Sequence, residues 1–298
     1  MNLILIKPEE LVDNDGKKNV IILDVQDART KHILGHLRKS PGGQVLIGII
    51  GGSKGSAAVF PKDDGSLKLE IDKGTLLQTP ESLNRMMPEV TLLLAICFPK
   101  RLKALWPMIA SFGYVRRIII IRGQLSDTDF CKSSTLRPDV YRPLIEEGMS
   151  QGGHTQPIQV DIVTESVISR KTLDQLFWAS GYKHNDATAK VFLDCEGAQL
   201  VPARDVVVAA ANKDNQHHSP SAIVAIGPER GWTEEEATIF KHRGFTASTL
   251  GLNSRFRVDT AVVAGLAIVS AALEEVIFFK QQKQITDAKK RQKFEIES

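Results

Sequence analysis

Cysteine is scarce in this chain: Cys97, Cys131 and Cys195 stand far apart and form no Cys-x-x-Cys or Cys/His ligand spacing. That argues against a disulfide framework or a zinc site, and no metal is expected; a reducing compartment, the cytosol or an organelle matrix, fits best. No apolar run reaches the roughly twenty residues that a bilayer span requires. The longest, Ala261 to Leu273, contains Gly265 and Ser270 and stops at Glu274-Glu275, which predicts a buried or dimer-interface helix and no membrane partner. Glu9, Glu10 and Asp13 follow Lys7 so closely that the N-terminus resembles neither a secretory signal nor an arginine-rich transit peptide. A strong charge of one sign is missing too, since 38 Lys and Arg against 35 Asp and Glu leave +3, which permits RNA binding without requiring it. No Gly-x-Gly-x-x-Gly follows an expected strand, which weighs against a dinucleotide enzyme, and Gly51 to Ser56 lacks the phosphate-loop order and reads as a hairpin.

What is present is an ordinary globular composition, 42% hydrophobic and 24% charged over 298 residues, long enough for two domains. Short apolar runs at Leu3 to Ile6, Val20 to Leu23, Gln44 to Ile50, Ala57 to Phe60 and Leu67 to Ile71 predict a small β domain. Residues 72 to 89 read as a connector. Beyond it, strand-like runs at Thr91 to Ile96, Arg117 to Ile121, Val191 to Asp194, Ala222 to Ile226 and Thr246 to Leu250 alternate with helical segments. The expected fold class is therefore α/β, a mostly parallel sheet covered by helices, with the loops after Leu193, Ile226 and Leu250 as site walls.

The most informative segment is Ala225 to Thr233, an apolar strand turning into a helix through Gly227, Pro228 and Gly231. Thr233 and Glu236 have the spacing of a capping box, Glu234 to Glu236 suit a positive helix end, and Gly244 ends the helix after Lys241, His242 and Arg243. A second loop, Gly251 to Arg257, follows one crossover later, with Asp259 placed to cap a helix beginning near Thr260. Free backbone N–H groups at such turns favour a ligand rich in acceptors.

Gly227-Pro228-Glu229 with Gly231, then Leu250-Gly251, then Arg255-Phe256-Arg257-Val258-Asp259-Thr260-Ala261, resemble the RsmE-type family of ribosomal RNA uridine-N(3) methyltransferases. Further likeness lies in Met1 to Lys7, His32 to Arg38, Pro41 to Val45 and Phe98 to Lys103, so the resemblance covers nearly the whole chain. It implies a SPOUT-class domain, trefoil-knotted around S-adenosylmethionine, at residues 79–298, and a PUA-like, barrel-like RNA-binding β domain at 1–78. It also implies a homodimer formed through the C-terminal domain and a partner in ribosomal RNA or the small ribosomal subunit. The chain differs from the family in having Arg230 where glycine is usual, Asp259 where glutamate is usual, a third loop one residue longer, and no arginine in Met149 to Pro157.

On this resemblance, Leu193, Ile226, Gly227, Pro228, Glu229, Gly231, Leu250, Gly251, Leu252 and Phe256 are expected to bind S-adenosylmethionine. Loss of the uridine N3 proton leaves charge on the flanking carbonyl oxygens, which Arg257 or Arg255 is placed to stabilise, while Asp259 or Glu229 accepts the proton. Asp259 as a helix cap and Glu229 as a loop brace are the simpler readings of the same residues. His32, His36, Arg38 and Lys39 are expected to meet RNA phosphates, although His32 and His36 also have the spacing of an exposed helix face. Two functions stand: transfer of a methyl group to a uridine of small-subunit ribosomal RNA, or RNA binding by a protein that keeps the fold with weakened activity. The basic tail, Lys280 to Lys293, reads as a solvated helix end or an auxiliary RNA contact.

Overall fold

The computed structural model describes residues 3–11, 20–76, 87–179, 188–194, 200–213, 219–250 and 255–297. The chain divides into two compact units, one of residues 1–81, 110–113 and 142–157, the other of 82–109, 114–141 and 158–298.

In the first unit, β1 (Ile4–Ile6), β2 (Val20–Leu23), α1 (Ala28–Lys31), β3 (Gln44–Ile49), β4 (Lys54–Pro61) and β5 (Leu67–Ile71) follow one another. The sheet order is β1-β3-β4-β5-β2, antiparallel except for β1 against β3. Alternation sets the core: Leu67, Leu69 and Ile71 of β5 point inward and Lys68 and Glu70 outward. Ile4 and Ile6 on one edge strand share a core with Ile21 and Leu23 on the other. The sheet therefore curls so that both edges face the same apolar centre. Gly51 and Gly52 sit in the β3–β4 turn, the expected hairpin.

The second unit holds β6 (Glu89–Ala95), α2 (Pro99–Ala110), β7 (Val115–Arg122), α3 (Pro138–Gly152), β8 (Gln159–Val167), α4 (Arg170–Asp174), β9 (Ala189–Leu193), β10 (Val201–Pro202), α5 (Ala203–Lys213), β11 (Ser221–Ile226), α6 (Glu234–His242), β12 (Thr246–Thr249) and α7 (Val258–Glu297). Of these, α3 counts with the first unit from Arg142 onward. All seven strands are parallel, in the order β10-β12-β9-β11-β6-β7-β8. Ile223 and Ala225 of β11 join the aromatic core of Phe177, Phe192, Phe240 and Phe245. The opposite face of β11 meets α7, which also packs on α5. Burial on both faces explains why β11 is a continuous apolar run.

The sequence reading missed β8 and β10. β8 is a half-exposed edge strand carrying Gln159, Asp161, Thr164 and Glu165, and β10 is two exposed residues ending in a proline tolerated at an edge. The last helix begins at Val258, before the expected Thr260, and runs 40 residues. Its portion Val258–Gln282 is long and apolar enough to cross a bilayer by length and composition. Val258, Val262, Leu266, Val269, Leu273 and Val276 are nevertheless buried inside the protein at helical spacing, the stripe of a core helix.

The chain steps from β6 outward through β7 to β8, then returns to β9 on the other side and fills the gap with β11. That reversal is a topological switch point, where parallel sheets open a crevice at their carboxyl ends. β12 lies between β9 and β10, which are consecutive in the chain. Residues 195–199 and 251–254, which follow β9 and β12, lie outside the described residues.

Candidate active site

The elbow after β11 is built on close approach. A Cβ on Gly227 would lie 3.1 Å from the carbonyl carbon of Gly231 and 3.3 Å from the Trp232 ring, a tight fit that would press on the turn, whereas Gly231 is favoured by its φ of +76°. The Gly231 N–H donates to the Pro228 carbonyl at 2.9 Å, closing the turn. Trp232 packs edge-on against Phe240, 4.9 Å between ring centres. Thr233 and Glu236 form the expected capping box, and Gly244, with a φ of +78°, follows the helix. Glu236 does more than cap. It is fully buried, and while one carboxylate oxygen accepts the Thr233 N–H at 2.8 Å, the other accepts the Gln124 N–H of the loop after β7, also at 2.8 Å.

Three of the expected cofactor residues converge. Gly265 of α7 has no side chain, and a Cβ there would sit 3.0 Å from Leu193 Cδ1, 3.8 Å from Ile226 Cδ1 and 3.9 Å from Leu250 Cδ2. The ends of β9, β11 and β12 thus bring three apolar side chains together over one point of the helix, a patch able to cradle an apolar group. Gly251 and Leu252 lie outside the described residues. Phe256 is half-buried and Arg255 exposed.

The charged groups fall into two pairs. Arg257 Nη2 donates to Asp259 at 3.0 Å, and Asp259 also accepts the Thr260 N–H at 3.1 Å. Asp259 lies within the first helical turn rather than at its cap, because the Arg257 carbonyl already accepts the Ala261 N–H. Glu229 accepts the backbone N–H of Phe98 at 3.0 Å and pairs with Arg101 at 3.2 Å. The brace reading of Glu229 therefore has its partner. Burial pushes the Cys97 thiol up to about 12, with the negative Glu229 and Asp259 adding and Arg101 opposing, which puts all three within electrostatic reach of the end of β6.

Sequence reasoning missed the loops after β6 and β7. Phe98, Arg101, Gln124, Leu125, Ser126, Asp127, Phe130, Glu229 and Arg230 line a cleft of about 430 Å³ beside the elbow. Carboxyl-end position would have flagged them, but their sequence carries no glycine signature. In the first unit, His32 to His36 form a π-helical turn continuing α1, with the two imidazoles stacked 5.4 Å apart. Arg38 is exposed at a φ of +48°, and Lys39 is half-buried beside it.

A parallel α/β sheet with a glycine elbow at the carboxyl end of a strand beside its switch point is an arrangement that binds small ligands. The chain belongs to the RNA methyltransferase domain family, which it matches over residues 84–270. It is similar to the Ribosomal RNA small subunit methyltransferase E of Treponema pallidum, 27% identical over 274 residues and 91% of each protein. It is also similar to Ribosomal RNA small subunit methyltransferase E 1 of Borreliella burgdorferi, 22% identical over 92% of this chain and 99% of that protein. Among solved structures, the Neisseria gonorrhoeae methyltransferase E bound to S-adenosylmethionine superposes with a TM-score of 0.61 at 20% identity, covering 90% of this chain and 97% of that one. A Legionella pneumophila protein in complex with the same cofactor reaches 0.64 at 19% identity, covering 91% and 98%. The RsmE-type resemblance thus extends along nine-tenths of the chain.

Proposed function

We propose that this protein uses S-adenosylmethionine to methylate N3 of a uridine in small-subunit ribosomal RNA, in the cytosol or an organelle matrix. The observation that carries the reading is the convergence of Leu193, Ile226 and Leu250 on Gly265 of α7, the helix whose first turn holds the Arg257–Asp259 pair. The apolar cradle suits the flat face of an adenine, and the elbow from Gly227 to Gly231 offers backbone groups to the polar remainder; both features fit the cofactor's chemistry. When bound, it supplies a methyl group on a sulfonium.

The chain's own residues do the rest. Arg257, with a side chain 66% exposed, is free to meet charge developing on the uridine carbonyl oxygens, and Asp259 fixes its guanidinium. Glu229 is held by Phe98 and Arg101 and Asp259 by Arg257 and Thr260, so each already has partners, and the N3 proton goes to one of these two carboxylates, directly or through water. The first unit presents His32, His36, Arg38 and Lys39 to RNA phosphates, which positions the strand without reading sequence. Phe278 and Phe279, both more than half exposed on α7, supply an apolar contact for a second copy.

Labelled methyl transfer to small subunits tests the reading. We expect Arg257→Ala to lose about 100-fold or more in rate while calorimetry shows the cofactor still bound. Mass mapping of ribosomal RNA from cells with and without the protein then locates the uridine. Binding of RNA without any transfer by the unaltered protein is the outcome expected of the weakened-activity alternative.

A further inference from the structure

We infer that the cleft walled by Phe98, Phe130, Arg101 and Arg230 seats a second nucleotide of the RNA strand, adjoining the acceptor, with its base against Phe98 and its phosphate on Arg230. The inference rests on the RNA-methylating reading above and adds a substrate subsite to it.

Position comes first. The carboxyl ends of β12, β9 and β11 carry the proposed donor loops, and those of β11, β6 and β7 carry this cleft. The elbow from Gly227 to Trp232 is a wall of both, so a strand with one base at the first reaches the second without leaving the sheet's carboxyl edge.

Side-chain chemistry comes second. Phe98 is 47% exposed and stands edge to face with Phe130, 5.7 Å between centres, which makes an aromatic corner in a cleft whose other apolar lining residue is Leu125. An exposed aromatic face stacks on any base, because every base has a π-face. Of the charged groups, Arg101 is matched by Glu229, and Asp127 caps a short helical turn by accepting the Asp129 N–H. Arg230 is exposed and has no hydrogen bond or ion pair among the described residues. Asp127 keeps its charge in the same cleft, but among the described residues no carboxylate is bonded to Arg230, and an available cation beside one aromatic corner suits one phosphate beside one base.

Rigidity comes third. The Phe98 N–H is held by Glu229, the Ser126 hydroxyl by the Ile96 carbonyl, and the Gln124 amide between Thr233 and Glu235. The three loops are tied to one another before any ligand arrives, which lowers the ordering cost of binding.

The experiment is fluorescence anisotropy with a labelled single-stranded oligouridine octamer, on the full-length protein and its variants. We expect Phe98→Ala to weaken binding about tenfold or more and Phe98→Trp to restore it. Arg230→Gly should reduce the slope of log affinity against log salt by about 0.7, the loss of one phosphate contact. Melting temperature and cofactor calorimetry monitor the fold and the first cleft. If Phe98→Ala melts early, Phe98→Leu, which keeps apolar cover without a π-face, carries the comparison. Binding by both variants that equals the unaltered protein, failure of that protein to bind the octamer, or uridine monophosphate competing as tightly as the octamer each overturns the assignment. Octamer binding through Phe98 and Arg230 without methyl transfer would instead sink the catalytic reading and leave the subsite standing.

Discussion

A fully buried carboxylate needs hydrogen-bond partners, and Glu236 uses its two oxygens on two backbone N–H groups from different loops, Thr233 and Gln124. Removing it leaves both donors without partners, at about 1–3 kcal/mol each. We expect Glu236→Ala to destabilise the protein by about 2–5 kcal/mol in chemical denaturation, and Glu236→Gln, which keeps one acceptor, by less. The capping role was legible in the sequence because Thr233 and Glu236 are three positions apart, a spacing with a fixed geometric meaning. The bond to Gln124 was not, since it joins residues 112 apart and exists only through the parallel pairing that brings the ends of β7 and β11 to one edge of the sheet. Glu229 teaches the same lesson: its brace role was one of two open readings until Phe98 supplied the donor.

At the scale of elements, the long α7 helix positions the cradle, and Gly265 is its point of closest approach to three strand ends. A valine there would push its Cβ to within 3.0 Å of Leu193 and add two methyl groups besides. Overpacking of this kind costs about 1–3 kcal/mol. We expect Gly265→Val to weaken cofactor binding in calorimetry more than it lowers the melting temperature, because the crowded side chains line the cradle. The glycine was visible in the sequence as a small residue in an apolar run, but its three neighbours come from strands read separately. In the first unit, α1 is held by a clamp in which Arg29 bonds both Glu10 and Asp27. Burial works against the charged carboxyls, yet the Arg29 hydrogen bonds win and hold both below their ordinary values. The sign follows: this stabilisation is fully present above the unfolded values of 4.5 and 3.8 and is lost as pH falls through the lowered folded ones. Arg29→Met should therefore raise the acid midpoint of this unit, followed by the NMR signals of His32 and His36.

For the molecule as a whole, the class of fold was legible because alternating strands and helices leave few arrangements, and ten of the twelve strands among the described residues coincide with the expected strand-like runs. The order of the strands was not legible, because parallel partners far apart in sequence are chosen by packing on both faces rather than by any local signal. The proposed second copy is tested at this scale. Replacing both Phe278 and Phe279 by glutamate should halve the mass in light scattering if α7 is the contact, and an unchanged mass would remove that face from consideration. The placement of β12 between β9 and β10 bears on how the protein is made. Val201 and Pro202 pair in the sheet only with β12, so this edge stays unfinished on the ribosome until Thr246 to Thr249 emerge. Assembly of that margin waits until about 45 residues after Pro202 have been made, and a chain cut short before Thr246 would expose the flank of β9, a bare strand edge open to aggregation.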